Sequence, residues 1–191
     1  MKKKLLYIAV IAICLSLITG STIAYFTAED SARNVITTGA VDVKVEEFTL
    51  AEGTLVPDSQ QVFQVMPGDR ISKVVTARSM EQEAWIRMRW EITVRDAQGQ
   101  PMELSAQELE KVITLEGRSD EWIPAEDWWY YTQSVGVGRS TQPLFETVVF
   151  SAAEMGNEYQ GCTAQIQVTV QAVQTANNGN EISEAAGWPA D

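Results

Sequence analysis

The stretch "AWIRMRWEITV", residues 84–94, places Ala84, Ile86, Met88, Trp90, Ile92 and Val94 on one face of an extended chain. Trp85, Arg87, Arg89, Glu91 and Thr93 fall on the other. Side chains of a strand point to opposite faces in turn, so the pattern predicts a strand with one apolar face, which needs a second layer to cover it. The same period runs through "CTAQIQVTVQA" (162–172). There Cys162, Ala164, Ile166, Val168, Val170 and Ala172 oppose an uncharged row of Thr163, Gln165, Gln167, Thr169 and Gln171, suited to solvent or to a second chain. In "AVDVKVEEF" (40–48), Val41, Val43 and Val45 alternate with Asp42, Lys44 and Glu46.

Shorter strands are expected at "QVFQV" (61–65), "RISKVVTA" (70–77), "KVITL" (111–115), "WWYYT" (128–132) and "LFETVVF" (144–150). Turns punctuate them at Pro67-Gly68-Asp69, at residues 96–101 and at Gly136-Val137-Gly138. Helical signals are confined to two Ser-x-x-Glu capping boxes, Ser105 to Glu108 and Ser151 to Glu154. Many short strands joined by turns predict an all-β fold, an antiparallel sandwich with short connecting helices.

The N-terminus has a different character. Residues 1–4 carry three lysines, residues 5–18 are apolar apart from Ser16, and Thr22-Ile23-Ala24 offers small residues at the positions a signal peptidase reads. A signal peptide helix over residues 1–24 is expected, cut between Ala24 and Tyr25. The alternative is an uncleaved membrane anchor, although the apolar run is short of the ~20 residues that span a bilayer. Beyond it the chain divides into an extended segment over 25–38, a sandwich over 39–175 and a polar tail over 176–191, loosely held unless Trp188 docks on the body.

Removal of residues 1–24 leaves 11 basic residues against 26 acidic ones, a net charge of −15. Such a surface repels nucleic acid and anionic lipid, so contact with a membrane is expected only through an uncleaved signal. Cys14 leaves with the signal and Cys162 remains, on an apolar strand face where a buried thiol is inert. No intrachain disulfide can form, and the fold must hold by packing. The chain contains no histidine, which removes the HExxH zinc site, the Ser-His-Asp triad and the Cys-His pair. No acidic run has EF-hand spacing, and "SVGVGRSTQPLF" (134–145) lacks the Lys-Ser/Thr of a phosphate loop. No catalytic residue, metal ligand or cofactor is expected.

Two groups of residues carry binding hypotheses. Trp128, Trp129, Tyr130 and Tyr131 either stack on sugar rings, as a carbohydrate-binding face, or pack in the core and at a sheet edge. Arg87 and Arg89, on the outer face of their strand, are expected to pair with carboxylates across the sheet.

Several segments together resemble one family. "TGSTIA" followed by "YFTAEDSARNVITTGAVDVKV" is similar to the start of the TasA and camelysin family, secreted proteins of Gram-positive bacteria matured by a SipW-type signal peptidase. "VMPGDRISKVVTARS", "AWIRMRWEI", "DWWYY", "STQPLFETVVF" and "NEYQGCTAQIQVTVQAVQTAN" resemble the family's body in the same order. The resemblance implies a jelly-roll sandwich exported to the cell surface or biofilm matrix. It also implies assembly into fibres with itself or with related subunits, the N-terminal segment acting as a donor strand that completes the next subunit's sheet. Tyr25, Phe26, Ala28, Val35 and Ile36 are the apolar residues such a strand would seat. Camelysin is classed as a metallopeptidase, a further alternative that a chain without histidine departs from.

Overall fold

Alternating segments pair into two sheets in the computed structural model, which describes residues 26–34, 41–58 and 63–189. In chain order the strands are β1 (Phe26–Asn34), β2 (Val43–Ala51), β3 (Thr54–Pro57), β4 (Phe63–Val65), β5 (Arg70–Ser79) and β6 (Ala84–Arg95). The helix α1 (Ala106–Val112) precedes β7 (Ile113–Glu116), β8 (Trp122–Ala125), β9 (Trp128–Tyr131), β10 (Phe145–Phe150) and β11 (Thr163–Gln174). One sheet has the order β4-β1-β11-β6-β9-β8 and the other β3-β2-β5-β10-β7. Among the described residues every strand pairing is antiparallel except that of β1 with β11. The expected all-β sandwich is the observed fold. The expected signal helix lies outside the described residues.

The core is built from the rows that the alternation selects. Ala84, Ile86 and Met88 of β6, with Ala164, Val168 and Val170 of β11, are fully buried, as are Val75 and Ala77 of β5 and Phe145 of β10. Burying a Phe- or Ile-sized side chain contributes roughly 1.5–3 kcal/mol, so these rows carry most of the cohesion. β10 needs an irregularity to take part. Its register with β5 shifts between Phe145 and Thr147, which changes the parity so that Phe145, Val148 and Phe150 are all buried.

The first capping box forms as read: the Glu108 N–H donates to Ser105 Oγ, and the Ser105 N–H donates to the Glu108 carboxylate. The helix takes Lys111 and Val112, residues expected in a strand, before the β-branched pair Ile113-Thr114 turns the chain extended. The second box does not open an α-helix. Ser151 Oγ still accepts the Glu154 N–H at 3.2 Å, but the chain makes only a 3-10 turn over Asn157–Tyr159.

Candidate functional site

The N-terminal strand is an insert between the last strand, β11, and the three-residue strand β4. β1 runs parallel to β11 from Thr27↔Thr163 to Asn34↔Val170, and antiparallel to β4 from Phe26↔Val65 to Ala28↔Phe63. On its other side β11 pairs with β6 over its whole length, from Thr163↔Arg95 to Gln174↔Ala84. β11 therefore has both edges satisfied only while β1 is present. Without β1, the backbone of residues 163–170 would become the unpaired edge of the remaining β11-β6-β9-β8 sheet, the kind of edge that templates pairing with another chain. Phe26 and Ala28 lie on β1; Ala24, Tyr25, Val35 and Ile36 lie outside the described residues.

A second layer covers the outer face of β6. Arg87 is buried, and its guanidinium donates to Gln171 Oε1 at 2.9 and 2.5 Å, to Tyr130 OH at 2.9 Å and to the Pro189 carbonyl at 3.2 Å. It lies 4.3 Å from the Trp128 ring centroid and 4.8 Å from that of Trp188. The expected cross-strand carboxylate is replaced by an amide, a phenol, a main-chain oxygen and two indole faces. Arg89 also lies over Trp128, at 4.6 Å. The tail folds back over this face: Trp188 meets Tyr130 edge-on at 5.5 Å, Ile182 packs with Trp85 and Val173, and the Trp85 indole N–H donates to the Asn178 carbonyl.

The four adjacent aromatics are divided between the two faces of β9. Trp128 and Tyr131 are buried, and Trp129 and Tyr130 are half-buried. Trp129 stacks on Trp90 with centroids 5.8 Å apart and lies beneath Arg118 at 3.6 Å. Tyr131 packs on Trp122 and donates to the Glu121 carboxylate, and burial followed by that bond pushes its phenol up to about 12. All four rings are engaged by neighbours within the chain.

A third arrangement was not anticipated from the sequence. Lys73 of β5 points a 6 % exposed side chain at Glu47 of β2 and at Asp58, the residue after β3, with Nζ 3.3 Å from Glu47 Oε2 and 3.7 Å from Asp58 Oδ2. The Glu47 and Asp58 side chains are 7 % and 5 % exposed. Burial, then the Asp58 charge, raises the Glu47 carboxyl to about 7, and burial lowers the Lys73 ammonium to about 8. Both shifts run toward the neutral forms, so desolvation outweighs the mutual attraction of the pair. Glu47 Oε1 has no hydrogen-bond partner among the described residues. The signal was parity: Lys73 falls on the row of Val75 and Ala77, and Glu47 on the row of Val43 and Val45, so each is a charge at a core position.

Cys162 is buried between Met102 Sδ at 3.6 Å and the Glu158 carbonyl at 3.4 Å, and burial, then Asp96 and Glu158, raises its thiol. Among the described residues no three of His, Cys, Asp or Glu converge as a metal site, and no helix is long and apolar enough to cross a membrane.

Residues 1–100 match the family model described as camelysin metallo-endopeptidase. No curated protein matches the chain.

Proposed function

The chain belongs to the camelysin family, and we propose from that premise that it is a secreted structural subunit of the cell surface or extracellular matrix, assembling through its N-terminal strand. Family membership supports a secreted, matrix-type protein. The proposed step beyond it is that signal removal frees residues 25–38, that β1 leaves its own slot, and that it fills the equivalent slot of a neighbouring copy or of a related subunit.

The observation that carries the reading is the position of β1. Once residues 1–24 are removed, a strand inserted between β4 and β11 and starting at Phe26 can be withdrawn without threading any other element, and any replacement must restore the same row of backbone hydrogen bonds. Exchanging an identical element between copies conserves nearly all of those contacts, so the balance between closed monomer and polymer rests on concentration and on the segment between β1 and β2. Cleavage by a SipW-type peptidase would act as the licence, since before it the same segment is continuous with the signal helix.

The family's peptidase label implies a metal centre that the described residues do not fit: the chain has no histidine, and no ligand cluster is assembled among them. A structural role requires neither.

Electron microscopy of the mature chain and of a chain starting at Gly39 tests the proposal. The mature chain is expected to form fibres and the shortened one to remain monomeric, binding an added peptide of residues 25–38 in the vacant slot. Fibres from the shortened chain would reject the donor role.

A further inference from the structure

The Lys73, Glu47 and Asp58 cluster brings an amine and two carboxyls together inside a sandwich, each side chain at most 7 % exposed. An ion cluster earns its place in an interior when every lone pair and proton is satisfied, and Glu47 Oε1 is not satisfied among the described residues. An amine held against a carboxyl in a dry site has another outcome, condensation to an amide, which replaces two buried charges by a neutral group and releases water.

We propose that Lys73 and Asp58 form an intramolecular isopeptide bond, with Glu47 as the proton carrier. Glu47 Oε2, 3.3 Å from Nζ, takes one ammonium proton and passes it to the Asp58 carboxylate. The neutral Nζ attacks Asp58 Cγ, forming the C–N bond. A second proton leaves Nζ by the same route and reaches the Asp58 hydroxyl, whose C–O bond breaks as water departs. One proton stays on the amide nitrogen, Glu47 ends as it began, and no oxidant or activating group is consumed. Glu47 suits the carrier's role because it touches Lys73 directly and its charge is coupled to that of Asp58. Asp58 lies just beyond the end of β3, and its backbone N–H donates to the Glu47 carbonyl at 2.9 Å, which keeps its side chain beside the Glu47 that pairs with Val75.

The bond would tie the end of edge strand β3 to β5 across β2, and would close residues 58–73 into a ring. That ring contains β4, one wall of the slot that holds β1. The wall would then keep its place while the strand beside it is exchanged. The bond itself does not depend on fibre assembly, and its test is made on the monomer.

Intact mass and peptide mapping of the denatured full chain test the proposal. The expected result is a deficit of one water, with the peptides bearing Asp58 and Lys73 joined. Asp58→Asn is expected to join the same peptides with loss of ammonia in place of water, and Glu47→Gln to slow joining by at least tenfold. A full-mass chain means an ion cluster only and overturns the proposal. So does a water deficit confined to the Asp58 peptide, which is a succinimide, or a join between Lys73 and Glu47.

Discussion

The Arg87 guanidinium lies 4.3 Å from the Trp128 ring centroid, on the face of β6 that alternation assigns to solvent. The contact makes the outer face a second, smaller core. Gln171, Tyr130 and the Pro189 carbonyl complete the donors' partners, so a strand residue, a neighbouring strand and the C-terminal tail are fastened to one side chain.

Replacing Arg87 by Ala is expected to cost about 2–3 kcal/mol in urea unfolding, because hydrogen bonds to a charged donor and two ring contacts are lost together. Arg87→Lys should recover less than half of it, since an ammonium cannot present the planar fork. A change below 0.5 kcal/mol, the range of ordinary surface substitutions, would mean that the tail is not fastened here.

Trp129 stacks between Trp90 and Arg118. Trp129→Ala should therefore destabilise the fold by about 2–4 kcal/mol and leave polysaccharide pull-down at its wild-type level. Loss of polysaccharide binding with stability unchanged would instead mark the aromatics as a sugar platform.

Isopeptide formation should follow a bell-shaped pH profile. With Glu47 at about 7 and Lys73 at about 8, both hold a proton at lower pH and the amine has no lone pair. At higher pH both have lost it, and the carrier has nothing to pass on. Between these limits the pair shares one proton, and the form with it on Glu47 leaves the amine a lone pair. Mass spectrometry of newly synthesised chain diluted from denaturant should show the rate peaking between the two values. A rate that keeps climbing well above the Lys73 value would exclude Glu47 as the carrier.

Much of the sandwich was legible because its two longest strands, β6 and β11, alternate cleanly and pair with each other. The strands β3 and β8 were not, for physical reasons. β3 is exposed at all its residues, so burial imposes no pattern, and it turns back from β2 through Glu52-Gly53, both at positive φ. β8 carries Pro124, tolerated because it lies at a sheet edge. The Arg87 site was misread because alternation separates two faces without saying what covers the second, and a tail of low apolar content covers it here. The Lys73 cluster was missed although its parity was visible, since a charge in a core row reports nothing until its partners on other strands are known.

The central claim is that β1 pairs with β11 of another copy once fibres form. A chain carrying Ala28→Cys and Ala164→Cys, with Cys162→Ala, places two thiols at one position of the β1–β11 register. Assembled under reducing conditions, then oxidised and run on a denaturing gel without reductant, it is predicted to give a ladder of disulfide-joined subunits that collapses to monomer when reduced. Fibres that yield only internally bridged monomer would show that β1 never leaves its own sheet, and would contradict the account.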